Sequence, residues 1–153
     1  MNSVENAWHP FNAAPTVNLG SGDGIKTVNF FFNSLSNVVS SYAVRIWLVT
    51  SPPALTITAP GSNTLNQPFL QLQGSAPEEL ASVTYDVTNA AGWFTNQPAV
   101  VLNRYFDTNL WWFTTNTFQA FDIGLTVGTN QITVHAKDLA GNVTTSNYTY
   151  TLD

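Results

Sequence analysis

The chain has 153 residues, 44% hydrophobic and 13% aromatic but only 8% charged, with four Lys or Arg against nine Asp or Glu, a formal net charge of −5 and no cysteine. Soluble domains carry about 25% charged residues, so Thr, Asn, Ser and Gln supply the polarity here. This composition excludes a disulfide scaffold and a thiolate site, offers nucleic acid no basic patch, and holds no run near the roughly 18 apolar residues of a membrane span.

The N-terminus shows neither a basic flank nor an apolar h-region, so Met1 is expected to open a mature or excised fragment, or a chain exported without a recognisable signal. After a Trp8-His9-Pro10-Phe11 segment, residues 25–33 alternate as a strand, with Val28, Phe30 and Phe32 facing one way and Thr27, Asn29 and Phe31 the other. Residues 43–49 do the same, Val44, Ile46 and Leu48 opposing Ala43, Arg45, Trp47 and Val49. Two such strands make a hairpin that is marginal alone in water, so Phe30, Phe32, Ile46 and Leu48 need a cover. That cover is the folded-back segment 8–17, the following domain, or strands from another copy. Phe31 and Trp47, on the outward face, are the expected meeting place with a neighbour.

Ser51-Pro52-Pro53 then sets a stiff, extended connector, which divides the chain into residues 1–51 and 52–153. Four further alternating sets follow: Leu70 and Leu72 against Gln71 and Gln73; Val83, Tyr85 and Val87 against Ser82, Thr84 and Asp86; Ile132, Val134 and Ala136 against Thr133, His135 and Lys137; Tyr148, Tyr150 and Leu152 against Asn147, Thr149 and Thr151. Each reads as a strand with one buried face. Turn residues separate them, among them Ala59-Pro60-Gly61-Ser62 and Ala140-Gly141-Asn142, and no stretch carries helical periodicity. The predicted fold is all-β, an antiparallel sandwich whose second block has the length of one immunoglobulin-like domain.

The first block is explained by an internal comparison. With Leu19 over Leu125 and Leu35 over Leu139, and with small gaps, residues 24–38 follow residues 130–143: a Gly-bearing turn, an alternating strand, a tight turn ending in Asn-Val and a final strand. The first block therefore reads as an incomplete half domain, the C-terminal strands of a second copy of the same unit. Asp138-Leu139-Ala140-Gly141-Asn142-Val143-Thr144, after Gly128-Thr129-Asn130-Gln131-Ile132-Thr133-Val134, resembles the closing hairpin of bacterial Ig-like repeats. Gly22-Asp23-Gly24 and Leu48-Val49-Thr50-Ser51-Pro52-Pro53 resemble the matching segments of tandem repeats in large secreted and cell-surface proteins, such as those of Verrucomicrobia. Val49 and Ser34 stand where that pattern has Asp, which removes two oxygen ligands a calcium-stiffened junction would use.

Chemistry is sparse. His9 and His135 have neither a Gly-x-Ser-x-Gly nucleophile nor a third metal ligand to work with. Glu78, Glu79, Asp86, Asp107 and Asp122 show no pairing of the glycosidase kind. The chain is expected not to be an enzyme and to carry no cofactor. Asp138 and Asn142 are the calcium candidates, with Asp23 or Glu79, against a plain reading as turn caps. Trp93, Trp111 and Trp112 are candidate glycan platforms, with Asn, Gln and Asp at hand; the competing reading is core packing, since the Ig-like fold commonly buries a Trp.

The function expected is that of a non-enzymatic extracellular or cell-surface module, a repeat of a bacterial stalk, adhesin or fibre. Self-association would run head to tail by strand complementation through Phe30, Phe31, Phe32, Ile46, Trp47 and Leu48. The alternative is a carbohydrate-binding module. Expected partners are other copies or neighbouring repeats, then glycans, but neither nucleic acid nor a membrane.

Overall fold

The computed structural model describes residues 7–109 and 111–153, with backbone alone for Asn103, Arg104, Trp112, Phe113 and Thr115. The described residues form ten strands and no helix, so none is a helix long and apolar enough to cross a membrane. They fall into two compact units, Met1–Ser51 and Pro52–Asp153.

The first unit holds β1 (Gly24–Asn33) and β2 (Val39–Leu48), an antiparallel pair forming a sheet of two strands. The second holds β3 (Thr56–Ala59), β4 (Thr64–Leu65), β5 (Phe69–Ala76), β6 (Leu80–Asn89), β7 (Gly92–Asp107), β8 (Trp112–Gly124), β9 (Gly128–Asp138) and β10 (Val143–Leu152). Hydrogen bonds link them in the order β3-β5-β8-β7-β6-β9-β10-β4.

Strand β7 turns this ladder into two layers. Its residues 92–99 pair with β6, and its residues 100–107 pair with β8. One layer is therefore β3-β5-β8 with the end of β7, and the other is the start of β7 with β6-β9-β10-β4. In immunoglobulin lettering these are strands ABED against C′CFG, with C′ running on into D. The first strand also changes layers: β3 pairs antiparallel with β5, a cis Ala59–Pro60 peptide follows, and β4 runs parallel to β10. The second unit is an immunoglobulin-like β-sandwich.

Period-two alternation builds the core. On β5, Leu70, Leu72, Gly74 and Ala76 turn inward while Gln71 and Gln73 face out; on β9, Ile132, Val134 and Ala136 are at most 1% exposed. From β8, the fully buried Phe118 lies over Gly74, where an added Cβ would stand 2.5 Å from Phe118 Cζ and 2.8 Å from the Thr56 carbonyl oxygen. The central strand β6 contributes Tyr85 to the core where immunoglobulin domains commonly place Trp. Burial pushes the hydroxyl pKa of Tyr85 up, and that of Tyr150 likewise. Buried Asn130 fixes the corner before β9: its Oδ1 accepts from Thr126 N at 2.9 Å, and its Nδ2 donates to the Thr126 and Gly128 carbonyls at 2.8 and 3.0 Å.

Candidate functional site

The hairpin of the first unit repeats the last hairpin of the second. Shifting every residue number by 104 carries β1–β2 onto β9–β10 without a gap: Gly24↔Leu48 becomes Gly128↔Leu152, and Asn33↔Val39 becomes Lys137↔Val143. Gly24 and Gly128 both have positive φ, at 122° and 90°. The turns agree bond for bond. Ser34 N donates to Val38 O at 3.0 Å, as Asp138 N does to Asn142 O at 3.0 Å; Asn37 N donates to Ser34 O at 2.9 Å, as Gly141 N does to Asp138 O at 3.3 Å. Ser34 Oγ accepts from Val38 N at 3.1 Å, and Asp138 Oδ1 accepts from Asn142 N at 2.8 Å. The gapped sequence comparison places Asn37 on Asn142, whereas the backbone places it on Gly141. Both residues are left-handed, at φ 58° and 96°, a conformation that Gly and Asn tolerate best.

The burial of the two hairpins differs sharply. Val28 and Phe30 are half-buried and Phe32 is 45% exposed, while their counterparts Ile132, Val134 and Ala136 are sealed. Ile46 is 39% exposed against 2% for its counterpart Tyr150. In the second unit this face packs with Leu70, Leu72, Phe118 and Ala120 in one core, and β6 and β4 flank the pair. The described residues of the first unit form two strands and no such sheet. On its other face Phe31 is 61% exposed opposite Ser41, and Ile25 pairs with the half-buried Trp47 at the far end of the hairpin. The charges on β1 and β2 are both cations, Lys26 and Arg45. Asp23, just before β1, holds the end of the unit: its Oδ1 accepts from Thr50 N at 2.8 Å and Thr50 Oγ1 at 2.6 Å, and its Oδ2 from Ser51 N at 3.3 Å. The Thr50 hydroxyl and these other donors hold its carboxyl below the usual carboxylate range.

Two of the three tryptophans proposed as a platform have described side chains. Trp93 starts β7 and is 73% exposed; Trp111, in the turn after β7, is 68% exposed and meets Phe106 edge-on, with ring centroids 6.0 Å apart. The side chain of Trp112 lies outside the described residues.

At the calcium candidates, both carboxylate oxygens of Asp138 face Asn142, accepting from its N and its Nδ2 at 2.8 Å each. Asp138 itself is 2% exposed. Among the described residues no group of three or more His, Cys, Asp or Glu gathers as a metal site. His135 lies on the outer face of β9 between its neighbours, with Nε2 3.2 Å from Asp86 Oδ2 and Nδ1 3.0 Å from Thr145 Oγ1. Asp86 Oδ1 also accepts from Asn96 N at 2.7 Å; that bond first, then the imidazole, holds the Asp86 carboxyl below its ordinary range.

A run of amides on the outer face of the other layer went unread in the sequence. Gln73 Nε2 donates to Gln119 Oε1 at 3.2 Å, Gln119 Nε2 to Gln71 Oε1 at 3.3 Å, and Gln71 Nε2 to Asp122 Oδ1. Gln71 and Gln73 are visible as outward positions of an alternating strand. Gln119 and Asp122 are not, because the slip of register between β5 and β8 at Leu70/Leu72 breaks the alternation there.

No family model matches the chain, and no curated protein matches it. Among solved structures it is similar to CopC from Methylosinus trichosporium, at 10% identity and a TM-score of 0.42, over 66% of this chain and 93% of that one.

Proposed function

We propose that the chain is a non-enzymatic extracellular structural module, a repeat of a surface stalk, adhesin or fibre, in which one complete Ig-like unit follows a hairpin completed by strands from a neighbouring copy. The observation that carries this reading is the gapless match of β1–β2 to β9–β10, combined with the exposure of Phe32 and Ile46 at positions sealed in the second unit. A contact in which the hairpin of one copy meets a different surface of the next is heterologous and extends into a filament unless the rotation closes. A surface so poor in charge lets sheets meet without like-charge repulsion.

The test compares the full chain with residues 52–153, whose core is closed within itself, by multi-angle light scattering over a concentration series. The full chain should gain mass with concentration while the shorter chain stays monomeric; identical behaviour of the two would end the proposal. A second reading, carbohydrate binding, has the exposure of Trp93 and Trp111 in its favour, since each offers a flat ring to one sugar.

A further inference from the structure

Between the two layers of the second unit, where β7 leaves β6 to join β8, a cleft of about 380 Å³ opens to the surface. Its floor is core: Tyr85 and Val87 from β6, Ile123 and Leu125 from the other side. The cross-strand pairs Val87↔Phe94 and Tyr85↔Gln97 bring Phe94 and Gln97 to the same inward face of β7, at its rim, where Phe94 is 47% exposed. Trp93, the next residue, faces away.

The end of the cleft is fixed rather than loose. Asn89 Nδ2 donates to Gly124 O at 3.2 Å and Ala90 N to Thr126 Oγ1 at 3.2 Å, tying the β6–β7 turn to the β8–β9 corner. Asn89 Oδ1 accepts from Ala91 N at 2.9 Å, so these groups are spent on the frame. One rim group keeps acceptor capacity. Gln97 Nε2 donates to Thr95 O at 2.8 Å, which orients its amide and leaves Oε1 as an acceptor. Asp122 also lines the cleft, but its carboxylate is engaged with outward-facing Gln71 on the outer face of the layer.

The geometry points to a binding site for a neutral, hydroxyl-bearing ring, a single sugar residue, stacked on Phe94 and donating a hydroxyl proton to Gln97 Oε1. The cleft is near the lower end of ligand pockets, about 300–1,000 Å³, which suits one ring and not an oligomer enclosed whole. An apolar wall beside an amide acceptor matches a sugar, with a C–H face and a rim of O–H donors. Its lining has one carboxylate and no Lys or Arg, which disfavours anions. A cation would need that lone carboxylate as its counter-charge, and it is engaged with Gln71; a neutral ring needs none. The inference rests on the carbohydrate reading but not on the exposed tryptophans, and it is independent of head-to-tail assembly.

The test is saturation-transfer NMR on the full chain with methyl glycosides of glucose, galactose, mannose and N-acetylglucosamine, and with Nα-acetyl-lysine methylamide as the cationic probe. Transfer to the ring protons of at least one glycoside is expected, weakened about tenfold or more by Phe94→Ala, Phe94→Leu and Gln97→Ala, as for a central contact. Asp122 has φ 51°, a conformation Asn tolerates, and Asn keeps the acceptor for Gln71; because the ring does not touch this carboxylate, Asp122→Asn should leave glycoside binding unchanged. Trp93→Ala and Trp111→Ala should leave it unchanged. The proposal is overturned by a panel without transfer, by glycoside binding that survives Phe94→Ala, or by binding of the lysine probe alone that Asp122→Asn abolishes. Glycoside binding lost in the tryptophan variants instead would keep the carbohydrate reading and remove this cleft from it.

Discussion

Placing a carboxylate on the exposed face of the first hairpin should dissolve the proposed assembly. Phe32 is a suitable position: it is 45% exposed, lies opposite Ser40 and corresponds to the sealed Ala136. Covering what remains exposed of Phe32 is worth about 1 kcal/mol, and adding Tyr42, 64% exposed, and Ile46, 39% exposed, brings the apolar gain to about 3 kcal/mol. Phe32→Asp forfeits its share and also requires an unpaired carboxylate to lose water, a cost of several kcal/mol after relaxation. At 1.4 kcal/mol per tenfold, association should weaken by roughly 100-fold or more. Sedimentation velocity over a concentration series reads this directly, with Ser82→Asp on the exposed side of β6 as the charge-matched control. The thermal unfolding of the second unit should not change, since Phe32 is not part of its core. The reasoning fails if Phe32→Asp and the unaltered chain show the same mass distribution at every concentration, or if Ser82→Asp disrupts assembly equally.

Two further predictions concern the sandwich itself. Gly74→Ala sets a methyl 2.5 Å from the ring of fully buried Phe118 and 2.8 Å from backbone, so urea unfolding should show a loss of about 1–3 kcal/mol; an unchanged midpoint would mean that the Phe118 ring has room to move. The Asp86 carboxyl, held below its ordinary pKa by Asn96 N–H and His135, stabilises the fold above its unfolded pKa, about 3.9, and that contribution is lost as pH falls through the lower folded value. Asp86→Asn should accordingly melt below the unaltered chain at neutral pH, with the gap closing in strong acid; a gap that persists there would assign the loss to packing instead of charge.

Much of the second unit was legible because its strands are wet on one face and dry on the other. Leu70 and Leu72, Val83, Tyr85 and Val87, and Ile132, Val134 and Ala136 all alternate cleanly, and all are buried where alternation placed them. The signal faded between residues 99 and 117 for a physical reason. There β7 changes partners, its pairing with β8 slips at Val101/Arg104 and again at Tyr105/Phe106, and each slip breaks the period of two. Gln119 and Asp122 were lost with it, and so was the amide run they complete.

Composition and periodicity by themselves determined that this is an all-β protein, and that residues 24–48 resemble part of the unit that follows them. Turn residues marked the ends of the hairpins, because Gly, Asn and Asp are the residues that accept left-handed backbone or cap it. What they left open was which side chains meet. The equivalence of Asn37 with Gly141 and the cleft beside Phe94 were decided by tertiary structure alone. Each depends on the register between paired strands, and register is set by the packing of whole faces, which no local pattern encodes.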